Sequence, residues 1–209
     1  MTAIKICGLT RREDVDAALE AGAGMIGLIF APQSPRVISV DQAQRLAARV
    51  PDDKNIVGVF MNQDVAKVTA ILAEINLDIL QFHGEEENDW CGQFGLPFFK
   101  AVSMHEPANL VAVAQMYPDA FALLLDSHEQ GEAGGQGRVF DWSAIGRKLA
   151  TPVMLAGGLN SGNVQDAVQR VRPWAVDVSS GVEMAPGIKD HALMYEFCQQ
   201  VMEADGEPT

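Results

Sequence analysis

Short apolar runs alternate with helix-period segments along almost the whole chain. Runs with strand character fall at Ala3–Cys7, Met25–Phe30, Ile56–Phe60, Ile79–Phe82, Phe98–Val102, Phe121–Leu125, Val153–Ala156 and Ala175–Val178. Several are apolar without alternation, the pattern of parallel strands covered on both faces. Between them, Val15, Ala18, Leu19 and Gly22 follow the i, i+3, i+4, i+7 spacing of a helix packed on one side. Val65, Val68, Leu72 and Ile75 make a similar stripe, as do Val164, Ala167, Val168 and Val171. Thr10-Arg11-Arg12-Glu13 and Ser39 with Gln42 have capping-box spacing, and Asn160 is a cap candidate before the helix through Val171. A last helix is expected from about Asp190, with Leu193, Phe197 and Val201 facing inward, before a polar tail at 205–209.

Eight strand–helix units fit either a doubly wound sheet or a closed (β/α)8 barrel. The count of eight and a length of 209 residues favour the α/β class with a TIM-barrel architecture, a single domain over residues 1–209. No composition shift or linker marks a second domain.

Charge and cysteine content narrow the partners. A net charge of −13 opposes nucleic acid or an acidic membrane as a partner, so an anionic ligand would need a locally positive pocket. No stretch approaches the roughly 20 apolar residues needed to span a bilayer, and Met1-Thr2-Ala3-Ile4-Lys5 does not read as a signal peptide. Three cysteines, at 7, 91 and 198, fit reduced thiols and a cytoplasmic location.

The residues with chemical potential lie after strands, where a barrel collects its active site. Cys7 ends the first strand, and Gly8 allows the tight turn that follows. The loop Ala31-Pro32-Gln33-Ser34-Pro35-Arg36 is stiffened by two prolines and presents one guanidinium, a candidate fork for a carboxylate. His83 and Gly84 follow the fourth strand, and His83 is given no proton-transfer role. Asp126 follows four apolar residues, as either a partly desolvated general acid or the partner of a cation. Behind it runs a glycine-rich loop from Ser127 to Val139.

The eighth strand gives Asp177; Gly157-Gly158 after the seventh strand and Ser179-Ser180-Gly181 after the eighth mark a candidate phosphate cradle of backbone N–H groups. The same glycines would also serve plain tight turns, Cys7 would also serve as a small core residue, and Arg36 as a surface charge. Cys91 and Cys198 fall in expected helices and read as core. His105, His128 and His191 are scattered without metal-ligand spacing, so no metal is expected.

Taken in order, Lys5-Ile6-Cys7-Gly8-Leu9-Thr10, Gly27-Leu28-Ile29-Phe30 with Ser34-Pro35-Arg36, and Val57-Gly58-Val59-Phe60 resemble phosphoribosylanthranilate isomerases. Leu80-Gln81-Phe82-His83-Gly84, Leu125-Asp126, Phe140-Asp141-Trp142 and Leu155-Ala156-Gly157-Gly158-Leu159 continue the resemblance. Val178-Ser179-Ser180-Gly181-Val182-Glu183 and Pro186-Gly187 with Lys189-Asp190 complete it, from Lys5 to about Phe197.

That resemblance implies the cofactor-free Amadori rearrangement of N-(5-phosphoribosyl)anthranilate in tryptophan biosynthesis. By it, Asp126 is the general acid that protonates the furanose ring oxygen. Cys7 is the general base at C2, and Arg36 the partner of the anthranilate carboxylate. Gly157, Gly158, Ser180 and Gly181 become the phosphate cradle, with His83, Asp177 and Ser179 near the substrate. A phosphorylated small molecule is then the partner, and the chain is expected to act as a monomer or homodimer. One departure stands in Gly134-Gly135-Gln136-Gly137, where the family often carries a small hydroxyl residue in place of Gln136. Rival readings are the histidine-pathway isomerase, expected to pair two aspartates, and indoleglycerol-phosphate synthase, expected to need lysines at the mouth. A non-catalytic phosphate-binding barrel is a third.

Overall fold

The computed structural model describes residues 1–104, 109–127, 140–145 and 149–206. Eight parallel strands close into a barrel: β1 (Ala3–Cys7), β2 (Met25–Ile29), β3 (Asn55–Phe60), β4 (Ile79–Phe82), β5 (Phe98–Ser103), β6 (Ala122–Asp126), β7 (Val153–Leu155) and β8 (Ala175–Val178). Each pairs with its sequence neighbour, and β8 returns to β1 with Lys5 opposite Asp177. The expected strands are therefore present, with ends moved by a residue at most.

Helices α1 (Arg12–Glu20), α2 (Val40–Ala47), α3 (Val65–Glu74), α4 (Asn88–Gly92), α5 (Leu110–Met116), α6 (Val164–Val171) and α7 (His191–Ala204) cover the outside. Two units depart from simple alternation. Between β6 and β7 the described residues hold a single 3₁₀ turn, Trp142–Ala144. After β8 come a second 3₁₀ turn, Ser180–Val182, and a small hairpin of β9 (Glu183–Ala185) and β10 (Ile188–Lys189), neither of which the periodicity predicts.

The caps divide. Ser39 accepts from the Gln42 backbone N–H, and Asp190 accepts from those of Ala192 and Leu193, starting α2 and α7 as expected. The Thr10–Glu13 box does not form. Thr10 spends its hydroxyl on the Gly187 carbonyl in the β9–β10 turn, and the position before α1 is Arg11, which ion-pairs with Asp14 instead. Asn160 closes a turn onto the Gly162 N–H, and Asn163 stands at the start of α6.

Alternation along each strand creates two cores. One face packs on the helices, with Ile6, Leu28, Phe60, Leu80 and Phe197 fully buried. The other fills the barrel with Met25, Val57, Ile79, Phe99, Leu124, Met154 and Ala175. Each such large side chain contributes about 1.5–3 kcal/mol on burial. Above this plug, toward the carboxyl ends of the strands, the inward positions turn polar: Cys7, Gln81, Asp126 and Asp177. Among the described residues, no helix is long and apolar enough to cross a membrane.

Candidate active site

The strand ends surround a pocket of about 790 Å³, including its open mouth. All ten residues singled out from the sequence line it: Cys7, Arg36, His83, Asp126, Gly157, Gly158, Asp177, Ser179, Ser180 and Gly181. The loop carrying Gln136, and also His105 and His128, lie outside the described residues.

Cys7 occupies the last inward position of β1. Its register partner on β2 is Gly27, where a Cβ atom would stand only 2.7 Å from Cys7 Sγ, so the glycine makes the room the thiol occupies. The thiol is buried, which pushes its pKa up; Asp177 adds to that, while Lys5 and Lys189 pull the other way without reversing it. Gly8 turns the chain away at φ +75°.

Below the thiol, Lys5 is fully buried and donates to Asp177 Oδ1 at 2.9 Å. Burial lowers its pKa, but Asp177 and Cys7 outweigh that and the ammonium is held above its ordinary value. Asp177, expected near a ligand, thus lines the pocket while anchoring this lysine.

Across the mouth, Asp126 ends β6, and its carboxylate lies 3.5 Å from His83 Nε2. The other ring nitrogen of His83 faces the Gln81 amide nitrogen at 3.2 Å. With that amide donating, Nδ1 accepts and the ring proton sits on Nε2, toward Asp126. Gln81 Oε1 has no hydrogen-bond partner among the described residues.

Arg36 does form a carboxylate fork, and one acid it grips belongs to this chain. Its Nε and Nη2 donate to the two oxygens of Glu183 at 2.8 and 2.6 Å. Glu183 also accepts from Lys189 Nζ at 2.8 Å, and the same ammonium donates to the carbonyls of Cys7 at 2.7 Å and Ser179 at 3.0 Å. Lys189 thereby ties the ends of β1 and β8 to the hairpin. Burial lowers its pKa, only partly offset by Glu183.

The cradle is built where β7 and β8 end. Gly157 and Gly158 have φ of +76° and +68°, and a Cβ on Gly157 would come within 2.3 Å of the Ser127 backbone nitrogen. Next to them the 3₁₀ turn begins at Ser180, and Ser179 Oγ has no partner among the described residues. The fixed cations of the site, Lys5, Arg36 and Lys189, face Asp177 and Glu183, so backbone N–H groups rather than surplus charge are what this end offers an anion.

Lys5, Gln81, Glu183 and Lys189 are not among the residues the sequence marks for function. Lys5 had a signal: a charge between Ile4 and Ile6 shares the inward face with Cys7, two residues on. Glu183 and Lys189 lie on a hairpin without a periodic signature.

A family model for N-(5'-phosphoribosyl)anthranilate (PRA) isomerase matches residues 4–200. The chain belongs to the PRA isomerase family. Among curated members, the enzyme of Leptothrix cholodnii is 50% identical over 98% of this chain and 92% of its own. That of Dechloromonas aromatica is 47% identical over 98% of both. The crystal structure of the isomerase from Thermotoga maritima superposes with a TM-score of 0.87 at 36% identity, covering 97% of this chain and all of that one. Another solved PRA isomerase, in complex with reduced 1-(o-carboxyphenylamino)-1-deoxyribulose 5-phosphate, gives a TM-score of 0.81 at 34% identity over 97% of this chain and all of its own.

Proposed function

We propose that this chain isomerises N-(5'-phosphoribosyl)anthranilate to 1-(o-carboxyphenylamino)-1-deoxyribulose 5-phosphate, with Asp126 as acid and Cys7 as base. Asp126 gives its proton to the ring oxygen as the anilino lone pair forms C1=N and the C1–O bond breaks. The Cys7 thiolate then takes the C2 proton, the electrons moving through C1 to nitrogen to give an enolamine. The enol proton leaves and C1 is protonated, leaving the ketone. Atoms balance without a cofactor. Gly157, Gly158, Ser179, Ser180 and Gly181 hold the phosphate, Arg36 takes the anthranilate carboxylate beside Glu183, and His83 and Asp177 border the sugar.

The observation that carries this reading is the convergence of Cys7 and Asp126 on one pocket that also holds the glycine cradle. Three buried free thiols agree with a cytoplasmic site of action, and the chain works as a monomer or homodimer. The test is turnover of freshly prepared phosphoribosylanthranilate, with the histidine-pathway analogue as competitor. Conversion of the first, in clear preference to the second, is expected. Absence of conversion, or preference for the analogue, contradicts the reading.

A further inference from the structure

Lys5 is a buried charged group the proposed reaction leaves unused. It sits wholly inside the barrel, in register with Met25 of the apolar plug on one side and with Asp177 on the other. A lysine–aspartate pair at such depth is a poor stabiliser, because removing both charges from water costs about as much as their attraction returns. Its position suggests another use. The pleat of β1 puts Lys5 and Cys7 on the same inward face, two residues apart. The ammonium gives one hydrogen bond to Asp177, and its charge acts on the Cys7 sulfur across the inward face the two residues share. Asp177 fixes the amine from β8, the strand hydrogen-bonded beside it, so the lysine cannot swing away.

We propose that Lys5 is the positioning counter-ion of the Cys7 thiolate, with Asp177 setting how much of its charge the sulfur feels. The inference rests on the assignment of Cys7 as base and adds the residue that lets a buried sulfur carry negative charge beside an anionic substrate. The other charged groups facing this sulfur are Lys189, through the Cys7 carbonyl, and Arg36 at the rim; Asp126 stands across the pocket, and Gly27 on β2 brings no charge.

The network makes opposite predictions for its two members. Lys5→Met removes the stabilising charge, so the midpoint of the pH dependence of Cys7 alkylation should rise by about one unit or more. Asp177→Asn leaves the ammonium unopposed, so the midpoint should fall. The double variant Lys5→Met/Asp177→Asn, which keeps the site neutral, should lie between Lys5→Met and the parent. Alkylation of the resting enzyme by iodoacetamide, located by mass spectrometry, reads this without turnover, and the buried Cys91 and Cys198 serve as internal references.

A folded Lys5→Met with an unmoved midpoint overturns the proposal. If Lys5→Met does not fold, a midpoint that stays or rises in Asp177→Asn overturns it equally. The kcat/KM profile separates the two levels of argument. Midpoints that shift as stated while the profile does not follow leave the coupling intact and remove Cys7 as base. A dead Cys7→Ser with unmoved midpoints does the reverse.

Discussion

Cys7 has to lose a proton before it can take one, and its surroundings resist that loss. Burial holds the thiol above its ordinary value despite Lys5. On the proposed mechanism the working form has a thiolate at residue 7 and a protonated acid at residue 126. One group must have lost its proton while the other keeps it, so kcat/KM should fall on the acid side, where the thiolate is lost, and on the alkaline side, where the acid is lost. A profile flat from acid to alkaline pH would contradict proton transfer by these groups. Asp126→Asn keeps the shape and loses the proton, so kcat should fall by about 10²-fold or more. Retained turnover would move the acid elsewhere. Arg36→Met should chiefly raise KM, since it removes a carboxylate contact that exists before and during the reaction, while Glu183 keeps Lys189 as its partner. An unchanged KM would confine Arg36 to bracing the hairpin.

At the scale of elements, each site residue owes its place to the end of a strand, and the loops decide what is presented. Gly157→Ala combines a positive φ with a Cβ against the Ser127 nitrogen, so the turn must shift. A loss of about 1–2 kcal/mol in stability and a raised KM for the phosphorylated substrate are expected, read by denaturant titration and steady-state kinetics. Asp190→Ala removes the cap of α7 and should cost about 1 kcal/mol without touching kcat.

This is also the scale at which sequence was most informative. Periodicity located every barrel strand because strands buried on both faces leave apolar runs, and the residue following each run then fell at the mouth. Periodicity failed where structure is not periodic. The β9–β10 hairpin is too short to register, so Glu183 and Lys189 were not recognised as the brace on Arg36 and Cys7. Thr10 looked like a cap because spacing does not reveal that its hydroxyl reaches the Gly187 carbonyl, far along the chain.

Over the whole molecule, barrel closure brings residues from both ends of the chain into one ion network. Asp14 on α1 accepts from Arg11, from His191 Nε2 and from the Lys189 backbone, while Glu183 joins Arg36 to Lys189. Burial alone would raise both acids, but these donors hold each below its ordinary value, near 3.8 for Asp14 and 4.5 for Glu183. Depressed carboxylates contribute stability that is fully present above those values and lost as pH falls through the lower folded ones. Thermal midpoints should therefore drop steeply below about pH 4, and Glu183→Gln should make that drop shallower. An identical acid limb in the variant would show that Glu183 does not contribute to it. The overall charge of −13 leaves anion binding to the local chemistry of the mouth.

The claim beneath all of this is that the sulfur on β1 removes the C2 proton from a sugar whose ring Asp126 has opened. Single-turnover kinetics with excess Cys7→Ser and excess parent enzyme, on the same freshly made phosphoribosylanthranilate, isolates that step from binding and release. The account predicts that the variant binds the substrate with little change yet converts it about 10²-fold more slowly or worse. Conversion at the parent rate would contradict it.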